Sequence, residues 1–456
     1  MSDAAPNLEP VNLPEPVVCV QRWTWGLAAA AAATGAVSAM AAALVRLSFR
    51  GLQWILTGVA SDPPFAAVHL PLWRRALTPV LGALLAWLVL FARARRDRHM
   101  GREPRSYVEY VEAVRHGAGR IPWEPNLWRT LSAACSVASG AAVGREGSMI
   151  QFAAAVASRC GRWRDRLRVD APGSLAFLVA CGVAGGVTTA YNAPVAAVFF
   201  AAEIVLGGMQ WKELPLLGLA SGAGWWVSGL LLGRERLYPA HAALGWSWSV
   251  GLLPVLAIVC GFAGPAYQWL LSSTKGARRL PVAVAWGGAA VGLCSVVDPR
   301  VWGNGDAGLS AALGRAALPH VAVGSGPLLR LLGLRLLATS ACVGTGTVGG
   351  VFTPTLFAGG ALGALLGQWM HGDTTVLYAI AGMSCLMAAT THAPVMAACI
   401  AVELTGDWAL LPVLLPLNFM VWWIARRLSP RAMYAIASQS PEQTASSPGA
   451  GVQTVQ

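Results

Sequence analysis

Residues 142–151 read Ala142-Val143-Gly144-Arg145-Glu146-Gly147-Ser148-Met149-Ile150-Gln151. This stretch sets an Arg-Glu pair between two glycines, inside a run from residue 130 to residue 158 that is otherwise uncharged. A charged side chain at bilayer depth costs at least about 2.5 kcal/mol, so an ionisable residue that persists there indicates a functional site. We refer to residues 144–147 as the GREG segment.

The glycines of the GREG segment predict its backbone. Gly144 and Gly147 permit a tight turn, and the apolar run at 149–157 predicts a helix directly after it. Glu146 would then lie at a helix N-terminus, where free N–H groups and the helix dipole favour an anion. Its carboxylate could occupy the anion position and leave when an anion or a proton replaces it. A structural salt bridge between Glu146 and Arg145 is the alternative.

The composition excludes an ordinary soluble domain, since 55% of the residues are hydrophobic and only 12% are charged. It predicts an all-α polytopic membrane protein. Candidate spans are 24–48, 74–93, 126–143, 174–206, 212–233, 250–272, 282–297, 327–343, 352–370, 375–402 and 409–424. Several are short or interrupted by glycine or proline. Broken helices at membrane depth occur only where they line a cavity or are buried in protein, which favours a transporter or channel.

The net charge of +12 is concentrated in clusters at 93–98, 159–168, 275–279 and 426–431. Basic clusters beside spans are typical of cytoplasmic loops, so they do not indicate nucleic-acid binding. The nine cysteines show no metal-ligand spacing, and no metal or cofactor is predicted. A polar N-terminal tail (1–20) and a Ser/Pro/Gln/Gly-rich C-terminal tail (438–456) are predicted to be disordered around a membrane domain at 21–437.

An internal repeat is the strongest sign of organisation. Its copies read Asn192-Ala193-Pro194-Val195 followed by Glu203, and His392-Ala393-Pro394-Val395 followed by Glu403. A glycine-interrupted motif lies upstream of each copy: the GREG segment in one half, and Gly349-Gly350-Val351-Phe352-Thr353-Pro354 (the GGVFTP segment) in the other. Such paired interruptions are typical of duplicated transporter folds with a site near the midplane, here with repeats at about 24–233 and 250–426.

The GGVFTP segment also predicts a helix start, because Pro354 suits a first helical turn. The free N–H groups of Val351 and Phe352 would point into the middle of the protein. Two helix N-termini that converge on one point attract an anion and repel a cation. A further short amphipathic helix is predicted near residues 104–113, with Ser106 as its N-cap.

These motifs, together with Tyr434, resemble the CLC family of chloride channels and chloride/proton exchangers, and most of all its bacterial ClcB-like group. The resemblance covers about residues 20–437. It implies a CLC-type fold of two inverted repeats with many tilted and broken helices, assembled as a homodimer with one pore per subunit. It also implies a location in the bacterial inner membrane, surrounded by lipid, with both termini cytoplasmic.

The resemblance implies roles for individual residues. Glu146 matches the gating glutamate, and Tyr434 matches the tyrosine whose hydroxyl donates to the anion. The remaining positions implied to bind the anion are Ser106, Gly144, Arg145, Gly147, Val351 and Phe352. Chloride is then the substrate, with protons as a candidate second ion. The chain lacks a clean counterpart of the family's first motif, so Ser106 is the serine nearest to that position.

One departure bears on proton coupling. Exchangers of the family commonly carry a glutamate directly after the position of Glu203, and this chain has Ile204, which cannot relay a proton. The resemblance therefore implies a chloride channel or a loosely coupled transporter. A strictly coupled antiporter and a fluoride-exporting relative are the alternatives within the class. An intramembrane enzyme that uses His392 is the alternative outside it, and we expect no enzymatic activity.

Overall fold

The computed structural model describes residues 23–59, 62–101, 106–161, 174–242, 248–315, 324–371 and 374–433, which are mostly helical. The first half contains α1 (Trp25–Thr57), α2 (Pro63–His69), α3 (Leu72–His99), α4 (Tyr110–Arg115), α5 (Trp123–Ala138), α6 (Glu146–Cys160), α7 (Ser174–Tyr191), α8 (Pro194–Phe199) and α9 (Leu214–Leu232). The second half contains α10 (Trp248–Gly251), α11 (Leu253–Ser273), α12 (Ala283–Val297), α13 (Asp306–Ala312), α14 (Ser325–Gly344), α15 (Phe352–His371), α16 (Thr375–Thr391), α17 (Pro394–Thr405) and α18 (Leu411–Leu428). The two predicted tails and Tyr434 lie outside the described residues.

The long apolar helices identify a multi-pass membrane protein. Within the described residues, six helical stretches are long and apolar enough to cross a membrane. They are Trp25–Thr57, Leu72–His99, Leu214–Leu232, Leu253–Arg279, Ser325–Gly344 and Trp408–Leu428. Shorter apolar helices, α7 and α16 among them, are buried among their neighbours rather than spanning alone. The predicted all-α membrane fold is confirmed.

Three sequence expectations about helix boundaries are wrong. The candidate spans 174–206 and 375–402 are each two helices, because Asn192 and His392 adopt left-handed backbone (φ 52° and 58°) and end α7 and α16. An Ala-Pro pair then starts the next helix. His392, the residue of the enzyme alternative, therefore lies at the end of α16. The first span also runs to Thr57 rather than ending near residue 48.

The repeat is visible as a reciprocal contact between the two halves. The carboxylate of Glu403 accepts hydrogen bonds from the backbone N–H groups of Val195 (2.9 Å) and Ala196 (2.7 Å) at the start of α8. The carboxylate of Glu203 accepts from Val395 (3.3 Å) and Met396 (2.8 Å) at the start of α17. Each glutamate thus caps the broken helix of the other repeat and satisfies N–H groups that have no acceptor within their own helix.

Candidate anion-binding site

The GREG and GGVFTP segments meet as a two-residue backbone pair. The N–H of Gly144 donates to the carbonyl of Gly350 (2.6 Å), and the N–H of Gly350 donates to the carbonyl of Gly144 (2.8 Å). Position 147 requires glycine for this close approach, because a Cβ on Gly147 would lie 2.9 Å from Cα of Gly350. The pair brings the start of α6, at Glu146, beside the start of α15, at Phe352. Two segments that lie 206 positions apart in the sequence, counted from Gly144 to Gly350, therefore form one centre.

Glu146 is the first residue of α6, as predicted, and is 2% exposed. Its Oε1 accepts a hydrogen bond from Nδ2 of Asn304 at 2.7 Å. Its Oε2 has no hydrogen-bond partner among the described residues. That oxygen lies against Gly144, in the space that a side chain would fill there. The carboxylate of Glu146 thus lies against the paired glycines, with Oε1 bound by Asn304 and Oε2 without a hydrogen-bond donor among the described residues.

Arg145 does not form an exclusive salt bridge with Glu146. Its guanidinium lies 3.8 Å from Glu146, 3.4 Å from Asp62 and 3.8 Å from Asp306. Asp306 in turn accepts a hydrogen bond from the hydroxyl of Tyr238. Arg145 therefore balances a group of three carboxylates, and the closest polar partner of Glu146 is the neutral amide of Asn304 rather than a cation.

Asn304 belongs to the loop before α13, and buried contacts hold this loop. Arg335, which is 2% exposed, donates to the carbonyl oxygens of Arg300 (3.1 Å), Val301 (2.9 Å) and Gly303 (3.0 Å). The N–H of Gly303 also donates to the carbonyl of Gly140, shortly before the GREG segment (3.1 Å). The loop and the start of α6 are thus fixed relative to each other.

The GGVFTP side is lined by aromatic rings. The ring of Phe352 packs against Tyr191 (5.1 Å between centroids) and Phe200 (6.0 Å). The hydroxyl of Tyr191 shares a hydrogen bond with Thr353 at 3.3 Å. The first N–H groups of α15 therefore emerge into a largely apolar surrounding, where a helix N-terminus attracts an anion more strongly than it does in water.

Two predicted site residues are not brought to this centre by the described structure. Ser106 is exposed, and α4 begins at Tyr110 with Glu109 at its N-cap position, so the expected capping role of Ser106 is wrong. Tyr434 lies outside the described residues, which end at Met433. Their assignment to the anion site stays a prediction.

The position of Ile204 is buried and carries a neighbour that the sequence did not suggest. Ile204 lies in the π-helical turn Phe200–Val205 and is 3% exposed. The guanidinium of Arg115, at the end of α4, donates from Nη2 to the carbonyl of Ile204 (2.6 Å) and from Nε to that of Val205 (3.4 Å). Glu203 points instead to the start of α17. A hydrocarbon side chain and a fixed cation therefore occupy the region where the resemblance places a proton relay.

Sequence reasoning missed Asn304, Asp306 and Arg115. Asp306 was the only one with a usable signal, because it is a lone charge after the glycine-flanked Asn304 in an apolar region. In its local sequence, Asn304 looks like an ordinary polar residue of a loop. Arg115 looks like an ordinary basic residue at the end of a helix. Only the tertiary fold brings them to Glu146 and Ile204.

Comparison with known proteins agrees with this geometry. Residues 81–426 match the family model described as "Voltage gated chloride channel". The voltage-gated ClC-type chloride channel ClcB of Yersinia pseudotuberculosis is 38% identical over 409 residues, covering 88% of this chain and 97% of that protein.

The fold is also similar to two solved structures. A slow cyanobacterial Cl⁻/H⁺ antiporter superposes with a TM-score of 0.77 at 19% identity, over 93% of this chain and all of that one. A CLC-type fluoride/proton antiporter superposes with a TM-score of 0.71 at 21% identity, over 92% of this chain and all of that one. At these identities the likeness concerns the fold alone. The chain belongs to the voltage-gated chloride channel family, whose members are transporters and channels rather than enzymes.

Proposed function

We propose that this protein moves chloride across the bacterial inner membrane, as a channel or a loosely proton-coupled transporter gated by Glu146. The observation that carries the proposal is the buried carboxylate of Glu146 at the start of α6, over the Gly144–Gly350 pair. An anion attracted by the helix N-termini competes with this carboxylate for one place. Protonation of the carboxylate removes its charge and frees that place.

The anion site would be built from backbone donors around the paired glycines. Val351 and Phe352 contribute N–H groups at the start of α15, and the GREG segment contributes the start of α6. The hydroxyls of Tyr434 and Ser106 would complete the site from the cytoplasmic side, as the resemblance implies. Neutral donors suit a conducting site because they hold chloride without the full positive charge that would trap it.

Loose coupling to protons is favoured by the surroundings of Ile204. A proton that crosses a low-dielectric interior needs titratable groups or a water chain. Ile204 offers neither, Glu203 is engaged at the start of α17, and the guanidinium of Arg115 repels a proton at this place. A strictly coupled antiporter would need a different inner route. A fluoride exporter is the other alternative, and the match to ClcB-type relatives favours chloride.

The assembly and orientation follow from the resemblance and from charge. We infer a homodimer embedded in lipid, because helices such as α12 expose Trp286 (58%) and Leu293 (71%), which need an apolar partner. By the positive-inside rule, the basic cluster at 426–431 supports a cytoplasmic end of α18 and a cytoplasmic C-terminus, and the cluster at 93–98 supports a cytoplasmic end of α3. We infer that the N-terminus is cytoplasmic as well.

The test is transport by purified protein in liposomes. Chloride efflux under a potassium-valinomycin clamp should be rapid in the wild type and should increase as the pH falls. In Glu146→Gln it should be nearly independent of pH. Wild-type liposomes that release no chloride would overturn the proposal, and an unchanged pH dependence in Glu146→Gln would overturn the gate assignment.

A further inference from the structure

The proposed gate has a neutral partner supplied by the other half of the chain. Asn304 is 158 residues from Glu146 in sequence, is 6% exposed, and donates from Nδ2 to Oε1 of Glu146 at 2.7 Å. An asparagine amide can donate but cannot accept through its nitrogen. The bond therefore favours the ionised carboxylate and loses strength when Glu146 takes up a proton.

The amide is also fixed in this orientation. Its oxygen accepts from the backbone N–H of Asp306 at 3.3 Å, which leaves the nitrogen to face Glu146. Gly303 and Gly305 adopt positive φ on either side of Asn304, at 77° and 114°, and Arg335 binds the carbonyl of Gly303. Asn304 thus approaches the carboxylate from a backbone that cannot easily turn away.

Charged groups surround the pair, but none replaces the amide. Those that face Glu146 or its neighbour Arg145 are Arg46 from α1, Asp62 before α2, Arg145 itself, Tyr238 after α9, and Asp306 at the start of α13. Arg145 is 3.8 Å from Glu146 and lies equally near or nearer to the carboxylates of Asp62 and Asp306. The short contact with Glu146 belongs to Asn304 alone among the described residues.

We propose that Asn304 is a positioning residue that latches the ionised carboxylate of Glu146 over the paired glycines and so sets the pH at which chloride flux begins. This inference rests on the proposed gating role of Glu146. The latch would keep the pathway closed at neutral pH, and acidification would weaken it at the same time as it removes the charge of the gate.

The test measures chloride efflux from liposomes as a function of pH for Asn304→Ala and the isosteric Asn304→Asp. Loss of the donor in Asn304→Ala should move the midpoint of activation to higher pH by about one unit, the scale expected for a hydrogen bond to a charged group. Asn304→Asp should move it further in the same direction, because two adjacent carboxylates share a proton. The isosteric variant carries the test if the alanine variant fails to fold.

The same substitutions are then made in Glu146→Gln, where the gate cannot titrate. There they should leave the flat pH profile unchanged. The matched control is Asn418→Ala, another buried asparagine, whose amide bonds Ser384 and Pro394; it should lower thermal stability without moving the midpoint.

The outcomes separate the two ideas. If Glu146→Gln keeps the wild-type pH dependence, the gate assignment fails. If Glu146→Gln loses that dependence but both Asn304 variants keep the wild-type midpoint, the gate stands and the latch is refuted. A midpoint shift of equal size in Asn418→Ala would also refute the latch, since it would make the effect a general consequence of lost packing.

Discussion

At the scale of single residues, the candidate anion site depends on glycines, because side chains at Gly144 and Gly147 would collide with their neighbours. Oε2 of Glu146 occupies the space beside Gly144 that a side chain would fill, and the Gly144–Gly350 pair lies so close to Gly147 that a Cβ there would be 2.9 Å from Cα of Gly350. The carboxylate, the paired backbone and both helix starts therefore form one unit. A methyl group inserted at this point acts on all of them together.

This dependence gives a prediction for Gly147→Ala. Its Cβ would lie 2.9 Å from Cα and 3.0 Å from N of Gly350, so the two segments must separate. Overpacking of this kind costs about 1–3 kcal/mol, and we expect slower chloride efflux together with a lower unfolding temperature. The control is Gly218→Ala on α9, where nothing lies within 4 Å of the added methyl group. That variant should be neutral or stabilised; equal losses in both variants would contradict the close-approach argument.

At the scale of helices, the broken pairs α7–α8 and α16–α17 carry the symmetry of the molecule. The Ala-Pro steps and the equal spacing to Glu203 and Glu403 could be predicted from sequence, because proline and carboxylates leave local signals. Proline also predicts that the preceding helix ends nearby, but the exact residues of the breaks, Asn192 and His392, could not be predicted, because α7 and α16 are apolar on all sides and show no periodicity to interrupt. Each glutamate binds the helix start of the opposite repeat, and this contact could not be predicted, because it depends on the tertiary fold and on nothing in the neighbouring sequence.

The reciprocal caps predict the effect of removing one of them. Glu403→Ala would leave the N–H groups of Val195 and Ala196 without their acceptor, at a cost of about 2 kcal/mol or more in stability. Glu403→Gln keeps one acceptor oxygen and should lose less. Thermal unfolding in detergent, monitored by fluorescence, would show this order. The midpoint of the pH dependence of flux should stay at its wild-type value, because neither contact touches Glu146.

A matching loss is expected for Glu203→Ala at the start of α17, where Met396 and Val395 lose their acceptor. We therefore interpret Glu203 as a structural cap of α17, although it directly precedes the position that the resemblance links to proton transfer. If Glu203→Ala were as stable as the wild type but deficient in proton movement, the capping interpretation would be contradicted.

At the scale of the whole molecule, the two ends of the proposed pathway differ in chemistry. The end near α6 gathers the carboxyl groups of Glu146 and Asp306, which can take up and release protons, around the permanently charged guanidinium of Arg145. The end near α4 presents Ile204 beside the guanidinium of Arg115. Proton access should therefore exist on one side and be obstructed on the other.

This asymmetry predicts how the protein couples chloride to protons. Wild-type protein should show robust chloride flux with chloride-driven proton uptake that is absent or far below a fixed ratio. Ile204→Glu supplies the missing titratable group, but the cation of Arg115 at the same backbone carbonyl keeps such a carboxylate ionised, so the single variant should gain little. The double variant Ile204→Glu/Arg115→Gln removes that cation and should gain more proton uptake than either single change.

Arg115→Gln alone is the control, since it removes the charge without adding a relay. A wild-type reversal potential that follows one fixed chloride-to-proton ratio across several gradients would contradict the prediction, because a proton would then have to pass the inner side by a route that avoids Ile204.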